Sequence, residues 1–165
     1  MKELEYPFDS SFLLKKRRKL KKALLADGTP RMEKRIAVLG GSTTNDIVSM
    51  LELFLLNCGI QPIFYQSEYA QYWQDAMFDN PELAAFQPDL ICIHTTSRNI
   101  TEAPLPLTAS EQEVQDALER QFTHFSQMWE RLHEVYHCPV IQNNFELPST
   151  RLMGNRDAWD CHGMV

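Results

Sequence analysis

Ser42 is the first residue whose setting suggests chemistry. It follows Gly40 and Gly41 at the end of the apolar run 36–39 and precedes Thr43, Thr44, Asn45 and Asp46. A hydroxyl between a strand end and a helix start lies beside backbone N–H groups that can hold an anion or an oxyanion. The paired glycines let the chain turn sharply and let a ligand approach the backbone. Ser42 is therefore a candidate nucleophile, and Asn99 a candidate oxyanion donor. The alternative is that Ser42 or Thr43 only caps the following helix. The segment is not a dinucleotide fingerprint, because G-x-G-x-x-G is absent. Nor is it a Walker loop, because no lysine follows the glycines.

A serine nucleophile needs a base. His94 closes an apolar run and is nearest in topology; otherwise it is a hydrogen-bonded histidine at a strand end. His124 falls mid-helix and is expected at the surface, and His162 has no clear place. After His94 come Thr95, Thr96, Ser97, Arg98 and Asn99, and a third polar stretch runs through Gln142, Asn143, Asn144, Phe145 and Glu146. The expected substrate or anion contacts are Gly40, Gly41, Thr43, Asn45, Thr96, Arg98, Asn143 and Asn144. Arg98 suits a phosphate. His133-Glu134-Val135-Tyr136-His137 matches the zinc-protease pattern H-E-x-x-H. It stands where a helix ends before Pro139, on the side opposite the expected site, so it reads as a solvated helix end. No metal and no cofactor is expected. No Asp-x-Asp-x-Thr/Val occurs, so the chain lacks a phosphoaspartate centre of the haloacid-dehalogenase type.

These residues need elements to hold them. Residues 10–26 read as a helix capped by Asp9 or Ser10 and stopped at Gly28 and Pro30. Apolar runs at 35–40, 61–65, 89–94 and 139–143 read as strands. Residues 44–58 read as a largely buried helix, because only Asn45, Ser49 and Glu52 make a polar stripe. A short aromatic-rich helix is expected over 68–77, broken by Asp79-Asn80-Pro81. The longest helix, 110–136, opens with capping-box spacing between Ser110 and Glu113 and carries an apolar stripe that includes Leu118 and Phe122. Residues 144–165 show no clear element. The order helix, then β-α-β-α-β-α-β, with near-continuous apolar strands, argues for a three-layer α/β fold with a parallel sheet in the order 2-1-3-4. In such sheets, ligands meet the carboxyl ends of the strands. All three polar stretches fall there.

The chain has 165 residues, near-average hydrophobic (44%) and charged (23%) fractions, and a net charge of −6. These values fit one globular domain and exclude a wholly disordered chain. The longest apolar run, Leu53–Leu56, is far short of a membrane span, and no secretory h-region opens the sequence. Residues 1–35 carry +6, whereas 36–165 carry −12. We divide the chain at 34/35, into a basic helical arm and an α/β body. The arm's run Lys15–Lys19 with Lys21 and Lys22 either lies on the body's own negative face or docks an acidic partner; a nucleic-acid or membrane role is not expected. The four cysteines, Cys58, Cys92, Cys138 and Cys161, contain no C-x-x-C and read as buried free thiols of a cytoplasmic protein.

Four blocks in order resemble the N-terminal region of FkbH-like proteins: Tyr6-Pro7-Phe8-Asp9-Ser10; Leu39-Gly40-Gly41-Ser42-Thr43-Thr44-Asn45; His94-Thr95-Thr96-Ser97-Arg98-Asn99; and Gln142-Asn143-Asn144-Phe145-Glu146 with Gly154-Asn155. The resemblance covers essentially the whole chain. It implies an SGNH-hydrolase-like domain in which Ser42 takes the serine's place and Asn99 the asparagine's. The histidine block of that wider family has no recognisable counterpart before Val165. The resemblance also implies a following haloacid-dehalogenase-type domain, associated with loading a phosphoglycerate-derived glyceryl unit onto an acyl carrier protein. The chain is then expected to be a fragment lacking that domain and part of the sheet, with an acyl carrier protein as partner. A non-catalytic docking module and a standalone esterase are the alternatives.

Overall fold

A computed structural model describes residues 1–147 and 153–163. Nine main elements run in the order α1 (Ser10–Ala26), β1 (Met32–Gly40), α2 (Asn45–Asn57), β2 (Ile60–Gln66), α3 (Tyr72–Met77), α4 (Pro81–Phe86), β3 (Leu90–His94), α5 (Glu111–Tyr136) and β4 (Val140–Gln142). Short 3-10 turns stand at Lys2–Leu4, Ser97–Asn99 and Gly154–Ala158. The four strands are all parallel in the order β2-β1-β3-β4. The expected fold class and strand order are what the structure shows.

Period-two alternation divides the core between the two faces of the sheet. Ala37, Leu39, Ile91 and Ile93 turn to one face and pack with Tyr72, Ala76 and Leu83 of α3 and α4 and with Phe125, Met128 and Leu132 of α5. On the other side α2 packs against β2 and carries α1 on its outer surface. There Leu13, Leu20 and Leu24 of α1 close over Leu53, Leu56 and Leu4. The basic arm lies on the body: Arg17 pairs with Asp46 at 3.3 Å and Lys21 with Glu52 at 2.7 Å. Asp9 caps α1 by accepting the Phe12 N–H.

Several expectations need correcting. Helix 68–77 shrinks to Tyr72–Met77, since Ala70 adopts a left-handed backbone (φ 59°) that no helix tolerates. Asn80-Pro81, read as a breaker, starts α4: Asn80 accepts the Leu83 N–H, and Pro81 fills the first helical turn, where no N–H is needed. In α2 only Leu53 and Leu56 are buried, because α1 covers it on one side and Ile47 stays open at its first turn. Leu118 and Phe122 are exposed, not part of the core stripe. At about 1.5 Å per residue α5 far outruns the sheet it packs on, so its first half meets the loop at Thr101 and Glu102 through Gln121 and Arg120 in place of the sheet. Cys138 is buried and Cys92 partly so, but Cys58 and Cys161 are exposed; all four thiols are free. Of the tail 144–165, residues 148–152 and 164–165 lie outside the described residues, and 154–158 form a 3-10 turn. Among the described residues no helix is long and apolar enough to cross a membrane.

His124 is not a free surface residue. Its ring stacks on Trp73 at 3.7 Å and 9°, and its Nε2 is buried without a hydrogen-bond partner among the described residues. Burial lowers its pKa below 6.5. A lowered pKa means the fold prefers the neutral ring. Its contribution to stability is then present above about pH 6.5 and is lost as pH falls through the folded value. In urea titrations at pH 7.5 and 5.5, His124→Phe is expected to lose less stability on acidification than the wild type. An equal loss in both counts against this source.

Candidate functional site

The carboxyl ends of the four strands are fastened together by side chains from their own loops. Between β1 and β2, the Gly40 N–H donates to Ser67 Oγ at 2.8 Å, and Gln66 Nε2 donates to Thr44 Oγ1 at 2.7 Å and to Asn45 Oδ1 at 2.8 Å. Between β1 and β3, the Gly41 N–H donates to the His94 carbonyl at 2.8 Å, and Asn99 Nδ2 donates to the Gly41 carbonyl at 3.3 Å. Between β3 and β4, Asn143 Oδ1 accepts the Thr95 N–H at 2.9 Å, and its Nδ2 donates to the Thr95 carbonyl at 2.8 Å. Glu146 accepts the Ser97 N–H and hydroxyl, the latter at 2.8 Å. Its own backbone N–H and the Ser97 hydroxyl hold its carboxyl below the usual range. The three polar loops therefore form one connected rim.

Thr95 is the hub of the β3–β4 half. It is fully buried, and its Oγ1 accepts from Gln142 Nε2 at 2.9 Å, while Gln142 Oε1 accepts the Trp129 indole N–H at 2.6 Å. A buried chain of this kind holds the strand ends in one register, because each member would be orphaned if another moved. The site residues named from sequence do not include Thr95, Gln66 or Ser67. A hydroxyl directly after a buried strand was the available signal for Thr95. Nothing in the local sequence marks the other two.

The glycine pair serves the protein's own packing. Neither Gly40 nor Gly41 has a positive φ. A Cβ on Gly41 would stand 2.5 Å from Asn99 Nδ2 and 2.6 Å from its Cγ, and one on Gly40 would stand 2.7 Å from the Thr44 methyl. The expected ligand approach over Gly41 is thus taken by Asn99. That amide is doubly committed: its Oδ1 accepts the Thr96 N–H at 2.8 Å and forms a capping box over the turn 97–99.

Ser42 and Thr43 do not cap α2. The N-cap is Thr44, whose hydroxyl makes no cap bond and serves Gln66 instead. Among the described residues, the N–H groups of Ser42 and Thr43 find no acceptor. Beside them lies an open hollow of about 390 Å³ lined by Ser42, Thr43, Asn45, Gln66, Glu68 and Tyr69. That volume falls in the usual range for small-ligand sites, roughly 300–1,000 Å³. Two unpaired N–H groups and a hydroxyl can hold a carbonyl or acyl oxygen there, while Glu68 favours a partner rich in hydroxyls over a second negative charge.

Not every candidate is brought together. His94 pairs with Gly40 in the β1–β3 register, and its carbonyl is used by Gly41. Among the described residues no hydrogen bond joins its imidazole to Ser42. Arg98 is exposed at the turn beside Asn99, and Asn144 accepts from Asn143 through its carbonyl. His162, unplaced from sequence, sits between Asp160 Oδ1 and the Ala109 carbonyl, each 2.9 Å away. In the H-E-x-x-H stretch, His137 leaves the helix with a left-handed backbone as its C-cap, so the two imidazoles do not share a helix face.

No family model matches the chain, and comparison with curated proteins finds no relative. Among solved structures, the fold matches the crystal structure of the N-terminal part of the protein BF1531 from Bacteroides fragilis, described as containing a phosphatase domain complexed with Mg. The match has a TM-score of 0.66 at 16% sequence identity and covers 89% of this chain. The chain spans 38% of the length of that structure, so what is alike is a fold.

Proposed function

We propose that this chain is the SGNH-like N-terminal domain of an FkbH-like enzyme, assisting transfer of a phosphoglycerate-derived glyceryl group to an acyl carrier protein in the cytoplasm. The single observation that carries it is the pair of unpaired N–H groups at Ser42 and Thr43 beside a polar hollow, held in place by Asn99 across the β1–β3 gap. In this reading the glyceryl carbonyl meets the Ser42 and Thr43 N–H groups and the Ser42 hydroxyl. The glyceryl hydroxyls face Asn45, Gln66 and Glu68. In this reading the phosphate's partner is Arg98, the cation of the loop after β3. Asn99 positions the loop, and Ser42 acts as a contact. With no base hydrogen-bonded to it among the described residues, that role suits the hydroxyl better than nucleophile.

The likeness in fold to a part of a phosphatase-domain protein supports a phosphatase-type partner domain for this one. The test is glyceryl transfer by the protein that carries this chain together with such a domain. Ser42→Ala is expected to lower transfer by roughly two- to tenfold, one lost hydrogen bond, with the unfolding midpoint unchanged. Unchanged transfer rejects the site.

A docking role for the same chain has its own observation. On α1 the residues Lys15, Lys16, Arg18, Lys19 and Lys22 are exposed and form no ion pair among the described residues, in contrast to Arg17 and Lys21. An unpaired cationic face suits an acidic carrier protein. Lys16→Glu with Lys19→Glu is expected to weaken carrier binding at low salt and leave the Ser42 site's ligand affinity unchanged. Equal carrier binding by the variant removes α1 from the account.

A further inference from the structure

The segment 153–163 carries a second polar cluster outside the rim. It is a built structure. Asp157 is buried, its Oδ1 accepts the Met153 N–H at 3.2 Å, and Gly163 lies so close to the Asp157 backbone that no Cβ would fit. In this turn Asp160, Cys161 and His162 place a carboxylate oxygen, a thiol sulfur and an imidazole nitrogen within 4.8 Å of one another.

The hydrogen bonds fix the imidazole tautomer. His162 Nε2 faces the Ala109 carbonyl at 2.9 Å. A carbonyl only accepts, so Nε2 carries the proton and, in the neutral ring, Nδ1 is a bare lone pair. That lone pair points at Asp160 Oδ1, 2.9 Å away, with Cys161 Sγ at 3.3 Å from it. Two lone pairs facing each other at that distance need a cation between them, either a second ring proton or a metal ion. An imidazole that donates one N–H to a backbone carbonyl and presents the other nitrogen outward is also the usual arrangement of a metal-ligating histidine.

The triangle has the dimensions a metal requires. Its edges are 3.3 Å (S to N), 2.9 Å (N to O) and 3.9 Å (S to O). One face of a tetrahedral zinc site, built from ordinary bond lengths, has edges of about 3.6, 3.3 and 3.5 Å. Each edge needs to change by no more than about 0.4 Å. We propose that Asp160, Cys161 and His162 form a binding site for a zinc-class divalent cation, held by Oδ1, Sγ and Nδ1 and braced by the Ala109 carbonyl. A thiolate with an imidazole selects zinc over magnesium or calcium. On binding, the Cys161 thiol gives its proton to solvent, and so does Nδ1 of the ring, whose second proton the metal replaces. Two neighbours bear on Asp160: the His162 N–H donates to Oδ1 at 3.1 Å, and Arg156 reaches Oδ2 at 3.5 Å, leaving Oδ1 for the metal. Cys161 is exposed, so the fourth position opens to water. The ion would stiffen the turn 160–162, and the hydrogen bond from Nε2 to the Ala109 carbonyl joins that turn to the loop before α5. The site revises the expectation that the chain takes no metal, and it is independent of the Ser42 reading.

Titration with cobalt(II) as the spectroscopic stand-in tests it. One equivalent is expected to give a thiolate-to-cobalt charge-transfer band. Cys161→Ser should abolish the band, and His162→Gln should weaken binding by at least about tenfold. Cys58→Ser and His133→Gln, at exposed residues elsewhere, should leave both intact. Zinc should also raise the protection of 153–163 from hydrogen exchange, in the wild type but not in Cys161→Ser. No band with the wild type, loss of the band in Cys58→Ser and not Cys161→Ser, or equal protection in Cys161→Ser would each overturn the proposal.

Discussion

Leu13→Ala is expected to destabilise the whole protein by roughly 2–5 kcal/mol, the cost of a large-to-small change at a fully packed site. Leu13 has no exposed surface, and it lies in the apolar seam between α1 and α2 with Leu20, Leu24, Leu53 and Leu56. If α1 were a separable arm, truncating one of its leucines would change only the arm. Because the seam is continuous with a helix that packs on the sheet, the loss should appear as a single cooperative transition at lower denaturant. Urea unfolding followed by far-UV circular dichroism and by tryptophan fluorescence checks this. Both probes should shift together. A change below about 0.5 kcal/mol, typical of surface sites, contradicts the packing described.

Gly41→Ala should be nearly as damaging, and at the site itself. The added methyl would collide with the Asn99 carboxamide. Asn99 is a movable side chain, but moving it breaks its bonds to Gly41 and Thr96 and undoes the capping box at 97–99. Stranding those backbone groups costs about 1–3 kcal/mol. A double-mutant cycle separates the collision from other causes. Asn99→Ala removes the obstacle, so Gly41→Ala added to it should cost little more, and the two changes should be strongly non-additive. Additive losses would place the effect of the glycine elsewhere.

The sheet was legible because each strand is a compact apolar run and the two longest helices, α1 and α5, carry their own start signals. Ser110 with Glu113 marks α5, and both halves of that box are present. Short elements were less so. Asn80-Pro81 looks the same in sequence whether it breaks a helix or starts one, and only Leu83, buried beneath α4, decides it. The burial of helix faces was overstated for the same reason: an apolar residue near a helix end is covered only if another element reaches it, and Leu118 and Phe122 stay exposed, Phe122 meeting only the edge of Trp129 on its own helix. The candidate site was legible as three loops at one rim. Its internal wiring was not, because the contacts are long-range. Asn99 meets Gly41 across 58 residues, and Asn143 meets Thr95 across 48. No local pattern shows that the space above a glycine is already filled.

In the proposed function the loops after β1 and β2 hold one ligand between them, and the loop after β3 is tied to them through Asn99. Amide-resolved NMR of this chain during titration with an uncharged glyceryl thioester measures that directly. The expected result is a saturable shift of resonances at 42–45 and 66–69, with smaller shifts at 95–99 transmitted through Asn99, all following one binding curve that weakens roughly two- to tenfold in Ser42→Ala. Shifts confined to a single loop, or a curve that Ser42→Ala leaves in place, would contradict it.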